Sequence, residues 1–367
     1  MKIYANISML RDILGRLMIL SIVFICLWLT MIPQSQGCNV PVFRYAVERW
    51  PADLYEVIIF YRGAMNSEEQ ALLEKLKYSS EANIYVSAFD ISGKLDKKIS
   101  ELWKSQSEAE LPWMVLLYPQ IIQSNKPVWV SHFTDSAVDT LLHSPVRKKI
   151  VDSLLEGDST VWLLMESGIK EKDEAIVNLL EANLKRMEES LEVPEQVDFE
   201  QYMGYELAED IKIAFSVVRL ARTDPQEQVL TQILFRNDPE LETLEEPVAF
   251  PIFGRGRALC ALMGDDIEEF NIEEISMFLT GPCSCQVKAL NPGMDILLSA
   301  NWDEMLGQQI AEYSEQPIVT SSTVPIALSN QGSGTLKRNI ILAAFILVAF
   351  VILASSFLLL RRRKRAL

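Results

Sequence analysis

Apolar and polar positions follow three regimes along the chain. Leu17 to Ile32 is an almost unbroken apolar run, preceded by Lys2, Arg11 and Arg16. Ile340 to Leu360 is a second run, without charge or proline, and Arg361, Arg362, Arg363, Lys364 and Arg365 follow it directly. Between the two, short continuous apolar runs alternate with stretches whose apolar residues recur at helical spacing, the pattern of buried strands interleaved with amphipathic helices.

The middle regime predicts strands at Tyr55–Tyr61, Asn83–Ile91, Pro112–Tyr118 and Val128–Phe133. Helices are expected at Ser67–Lys77, Leu95–Lys104 and from a capping Asp135 through Leu155, with Leu142-His143-Ser144-Pro145 interrupting the last. The order is β-α-β-α-β-β-α, and strands separated by helices favour parallel pairing in an α/β sheet. A second, similar order follows: strand Thr160–Met165, helix Asp173–Leu191, strand Ile211–Leu220, helix Pro225–Phe235 capped by Asp224, strands Pro247–Phe253 and Ala258–Met263, and helix Ile272–Leu279. Tyr61-Arg62-Gly63 and Glu166-Ser167-Gly168 end the first strand of each set, and Leu111-Pro112 and Glu246-Pro247 open the third.

This order, with a proline just before the third strand, resembles the thioredoxin-like fold superfamily. The resemblance covers roughly residues 50 to 300 as two tandem βαβαββα units of an α/β fold. Members carry a redox Cys-x-x-Cys between the first strand and first helix. The matching segments here, Arg62-Gly63-Ala64-Met65-Asn66 and Ser167-Gly168-Ile169-Lys170-Glu171, hold no cysteine. The resemblance therefore implies non-catalytic, binding or structural units.

The two terminal runs set the expected location. Basic residues before the first run, and the turn-forming Pro33-Gln34-Ser35-Gln36-Gly37 after it, read as a secretory signal cut before Cys38. An uncleaved anchor and a lipoprotein acylated on Cys38 are the alternatives. The second run is long enough to span a bilayer, and the basic cluster behind it belongs in the cytoplasm. The expected division is signal 1–37, first unit 38–157, second unit 158–300, stalk 301–338, transmembrane helix 339–360 and cytoplasmic tail 361–367. Ser314 to Thr335, mixing Ser, Thr, Pro, Gly and Gln, gives the stalk its flexible character.

Charge narrows the function. The chain has 34 basic and 50 acidic residues. Ten of the basic residues and only Asp12 of the acidic ones lie in the two terminal segments, so Cys38 to Thr335 carries 24 against 49. Nucleic-acid binding needs a basic footprint and is excluded on this ground. Two histidines, His132 and His143, leave no inventory for a His-based metal site or a Ser-His-Asp triad. No cofactor is implied.

The remaining chemistry lies in cysteine. Cys26 falls in the signal, which leaves Cys38, Cys260, Cys283 and Cys285. Gly281-Pro282 reads as a break followed by a helix restart, placing Cys283 and Cys285 at a helix N-terminus that favours a thiolate. Three uses fit: a disulfide to Cys38 or Cys260, a redox pair, or a soft-metal pair. Asp265, Asp266, Glu268, Glu269, Glu273 and Glu274 form an acidic run, either a solvated helix start or a cation collector. Arg255 and Arg257 read as a polar hairpin tip or an anion clamp. Trp113 and Trp129 fill a core or face a partner groove. The best-supported expectation is a membrane-anchored, non-enzymatic accessory or scaffold that binds another membrane or envelope protein. The alternative is a thiol–disulfide or soft-metal handling protein working through Cys283 and Cys285.

Overall fold

The computed structural model describes residues 40–313 except 80, 107–108, 125, 194–211, 238–239 and 284–286. The apolar runs near each terminus, Cys38, Cys285 and residues 314–338 of the expected stalk lie outside the described residues, while the start of that stalk is the helix Trp302–Tyr313. Among the described residues no helix is long and apolar enough to cross a membrane.

Helix α1 (Val42–Arg49) precedes β1 (Tyr55–Tyr61), α2 (Ser67–Lys77), β2 (Ile84–Asp90), α3 (Lys97–Lys104), β3 (Trp113–Leu117), β4 (Pro127–His132), α4 (Asp135–Leu142) and α5 (Pro145–Leu155). Then come β5 (Thr160–Met165), α6 (Lys170–Ser190), β6 (Phe215–Leu220), α7 (Gln228–Asn237) and the single turn α8 (Glu240–Thr243). Last are β7 (Val248–Phe253), β8 (Arg257–Ala258), β9 (Leu262–Met263), α9 (Glu269–Thr280), β10 (Met294–Asp295) and α10 (Trp302–Tyr313).

Local chemistry fixes several of these boundaries. Asn66 and Glu69 form a reciprocal cap at the start of α2: the Glu69 N–H donates to Asn66 Oδ1 at 2.9 Å, and the Asn66 N–H donates to Glu69 Oε2 at 2.8 Å. The helix expected from Asp135 to Leu155 is two helices, because Pro145 has no N–H to continue the first. Ser144 caps the second, and Thr134 rather than Asp135 caps the first. The helix expected from Pro225 starts as a 3-10 turn (Pro225–Glu227) and becomes α only at Gln228. The strand expected over Ala258–Met263 is two short pieces, β8 and β9, which pair with opposite ends of β7.

Two mixed sheets result. The first has the order β2-β1-β3-β4, and the second β6-β5-β7-β8-β10 with β9 also on β7. In each, the first two strands in sequence are parallel and the third and fourth run antiparallel. The Leu111–Pro112 bond before β3 is cis.

One core joins the sheets. The faces carrying Val57, Ile59, Met114 and Leu116 of the first and Val161, Leu163, Phe250 and Ile252 of the second share a continuous apolar cluster with α2, α4, α5 and α7. On the far side of the first sheet, Ile58, Phe60 and Val115 pack with Ile99 and Trp103 of α3. On the far side of the second, Trp162, Leu164 and Ala249 pack with Val177, Leu180 and Leu184 of α6 and Ile272 of α9.

The chain crosses between halves at both ends. Helix α1 precedes the first sheet in sequence but packs on the second, with Val42, Phe43, Ala46 and Trp50 in one cluster with Phe253 and Leu279. After β10 the chain runs to the first sheet: the Asn83 N–H donates to the Leu298 carbonyl at 3.2 Å, and the Ala300 N–H to that of Glu81 at 2.7 Å.

Candidate functional site

The loops that follow β1 and β5 are built alike and carry no nucleophile. Gly63 and Gly168 occupy matching places with φ of +69° and +87°, which a glycine adopts without strain. A carboxylate holds each loop. Asp90 Oδ1 accepts from the Gly63 N–H at 3.1 Å and from the Ser92 N–H at 2.9 Å. These bonds, those from Ser92 first, hold the Asp90 carboxyl below the usual aspartate value. Buried Asp173 accepts from the Ser167 N–H at 2.7 Å and the Gly168 N–H at 3.1 Å. These bonds tie the Gly63, Ser167 and Gly168 amides to carboxylates.

The cysteines do not sit as a helix restart would place them. Gly281 ends α9, Pro282 forms an antiparallel bridge with Pro41, and the Cys283 N–H donates to the Val40 carbonyl at 2.8 Å. Cys283 is thus in extended chain, and the next helical turn among the described residues is the short 3-10 segment Lys288–Leu290. Partnering α1 won over the Gly-Pro signal because the edge at Pro41 offers backbone hydrogen bonds. The Cys283 side chain is buried with Val42, Phe43, Leu259 and Leu279. Cys260 is exposed as a residue, yet the protein packed around its thiol raises the pKa above 9.0. Burial disfavours the thiolate. Cys38 and Cys285 lie outside the described residues, so the proposed redox or metal pair is not brought together there. Among the described residues no cluster of His, Cys, Asp and Glu has the make-up of a metal site.

Arg255 and Arg257 are neither a solvated tip nor an anion clamp. The Arg255 guanidinium donates to the Val47 carbonyl at 2.8 Å and pairs with Asp303 at 2.8 Å, tying the hairpin to α1 and α10. Arg257 is buried and pairs with buried Asp295 at 3.0 Å. It also donates to the carbonyls of Pro292 at 2.9 Å and Asn291 at 2.8 Å. Asp295 accepts from the Asp53 N–H at 2.8 Å and from Lys288 Nζ, and Lys288 pairs with Asp53 at 2.9 Å. The Tyr55 hydroxyl donates to the Asp295 carbonyl at 2.8 Å. Burial, then neighbouring Tyr118 and Asp295, push the Tyr55 phenol well above its usual pKa of 10.0.

A second buried network joins the halves. Glu227 accepts from the Ser144 hydroxyl and from the Val146 N–H at 2.8 Å. Nearby Arg147 donates to the carbonyls of Leu141 at 2.9 Å, Thr140 at 3.2 Å and Leu297 at 3.2 Å. Its Nε is buried without a hydrogen-bond partner. Burial lowers the Arg147 pKa to about 10, partly offset by the charge of Glu227. Neither network was legible as a site in the sequence, since each joins residues far apart in the chain.

Trp113 packs edge-on to His132, with ring centroids 5.0 Å apart, and its indole N–H donates to Gln106 Oε1 at 3.3 Å. Trp129 is half-buried and packs against the shared core. An open depression of about 370 Å³ is lined by Glu56, Lys98, Leu117, Tyr118, Gln120, Gln123 and Ser124, with polar side chains but no nucleophile–base pair. The acidic run begins at the turn Gly264–Asp266 and continues into α9, where Arg186 pairs with Glu269 and, at 3.9 Å, with Glu273. Compared with known proteins, the chain matches no family model and no curated protein.

Proposed function

We propose that this protein is a membrane-anchored, exported accessory or scaffold built on two non-catalytic thioredoxin-like units, binding another membrane or envelope protein. The observation that carries the reading is the pair of loops after β1 and β5. They follow the first strand of two sheets whose first four strands pair in the same order, where the resemblance would put an active site. Each is closed by a carboxylate and a positive-φ glycine, with no thiol. The proline before β3 stands where the resemblance requires it. The apolar segment 339–360 would supply the anchor, and the acidic surface keeps nucleic acid away.

The cysteines fit a staple better than a redox pair. Cys283 is buried in an apolar cluster, which suits packing rather than exchange. Cys38 stands three residues before Pro41, and Cys285 three after Pro282, the prolines that bridge. This equal sequence spacing from the bridged prolines makes Cys38–Cys285 the disulfide to test first. The alternative, thiol exchange or soft-metal handling through Cys283 and Cys285, would need those two thiols free for each other.

A redox-resolved peptide map of the purified chain tests this. A Cys38–Cys285 bridge that resists mild reductant is the expected result. A Cys283–Cys285 bridge that opens at a potential above about −250 mV would sink the staple and put the thiol-exchange reading in front.

A further inference from the structure

The outward side of α9 is apolar where a surface helix is normally polar. Phe270 is 63% exposed, Met277 44% and Phe278 39%. At 3.6 residues per turn they fall within an arc of about 100° and about 12 Å of helix length. The opposite side of α9, with Ile272 and Leu279 fully buried, already faces the second sheet and α1. The stripe is therefore surplus to the core. Among the other exposed apolar side chains, Val287 and Leu290 share one short 3-10 turn, and Tyr78 and Ile121 stand on separate elements. Isolated ones need no explanation, whereas clustered ones mark contact surfaces.

Charge selects the occupant. Exposed Glu274 stands within this arc, Glu273 borders it, and Asp265, Asp266, Glu268 and Glu269 lead into it. Arg186 is the cation paired with this group, through Glu269 and Glu273. Asp265, Asp266, Glu268 and Glu274 form no ion pair among the described residues. A second copy would bring the same uncompensated carboxylates into contact, and an anionic lipid surface would be repelled. A partner that buries phenyl and thioether groups while meeting four free carboxylates is apolar along one side and basic along its margins.

We infer that the outward face of α9 is a docking surface for a basic amphipathic helix of a partner protein. Phe270 and Met277 are the anchors, and Glu274 with Asp265 and Asp266 sets orientation and encounter rate. The inference rests on reading the protein as a binding module, and it names the partner's chemistry.

The test is binding of a synthetic leucine–lysine amphipathic helix to the full chain, followed by fluorescence anisotropy. The comparison is with a Phe270→Ser/Met277→Ser double variant, Glu274→Lys, and Tyr78→Ser as a distant control. The altered residues lie outside the core, and circular dichroism verifies folding. Expected are saturable, salt-sensitive binding, a loss of tenfold or more in the double variant, a smaller loss with Glu274→Lys, and no change with Tyr78→Ser. Equal affinity in the double variant, or no saturation at millimolar peptide, overturns the inference. So does self-association of the native chain that the double variant abolishes, which would make a second copy the occupant. The thiol map above is independent of this surface, so the two readings fail separately.

Discussion

Replacing Asp295 with asparagine keeps its shape and removes its charge. The carboxylate serves Arg257 at 3.0 Å, the Asp53 N–H at 2.8 Å and Lys288. Lys288 has a second partner in Asp53, so it is not stranded. Arg257 is left with two carbonyls and the face of Trp50, 6.0 Å away, and its side chain is 7% exposed. Stranding one buried charge costs about 3–5 kcal/mol. The two carbonyl bonds that remain to Arg257 argue for the lower end, about 3 kcal/mol. The asparagine amide also points a donor at a donor, which keeps the loss from falling much below that. For a domain of this size the loss corresponds to a drop of roughly 6–12 °C in melting temperature. Urea unfolding of Asp295→Asn, Arg257→Met and the double variant, read by tryptophan fluorescence, measures it. The double variant should be less damaged than the sum of the singles by more than about 1 kcal/mol. An Asp295→Asn loss below about 1 kcal/mol, or simple additivity, would refute the assignment of this pair as a stabilising clamp.

Glu227→Ala removes the acceptor shared by the Ser144 hydroxyl and the Val146 N–H and leaves Arg147 without its nearest anion. The expected loss is about 2–4 kcal/mol in the same unfolding assay, and a loss under 1 kcal/mol would mean water replaces the carboxylate. Cys260 should alkylate slowly at neutral pH. Its rate should rise with pH to a midpoint above 9.0, because the protein around the thiol disfavours the thiolate; a midpoint below 9.0 contradicts this. Linkage has a fixed sign here: a thiol raised in the folded state holds its proton while the unfolded chain releases it, so stability falls as pH rises past 9.0. Cys260→Ser should flatten that alkaline decline, and an unchanged slope would rule the thiol out as its source.

Strands with continuous apolar runs were legible to the residue. Tyr55–Tyr61 and Thr160–Met165 sit centrally in their sheets, buried on both faces, so composition alone marks them. The Ser67–Lys77 helix was read at its observed bounds, but Asn66 rather than the expected Ser67 caps it. Where the reading failed, a distant partner decided the outcome. Gly281-Pro282 carries a helix-start signal, but a backbone edge at Pro41, far away in sequence, took it into a bridge. Arg255 and Arg257 look like a wet hairpin tip until Val47, Asp303 and Asp295 are folded around them. The pairing to β7 shifts by one residue between β8 and β9, beside Pro251, which has no N–H to donate, so one expected strand becomes two. The candidate site suffered most, because three of its four cysteines have neighbours set by such long-range pairing or fall outside the described residues.

The crossing of the chain ends has a consequence for biosynthesis. The first sheet has all its strands by His132, yet Asn83, the Asp53 amide and the Tyr55 hydroxyl wait for residues 295–298 to satisfy them. Helix α1, made before anything else described here, has no surface to rest on until Phe253 and Leu279 exist. A chain emerging N-terminus first thus holds an incomplete first half, with exposed apolar and unpaired polar groups, until nearly the whole described region is out. Folding is then a late, collective event, and a chain stopped between the halves leaves two fragments that each lack part of the other's core.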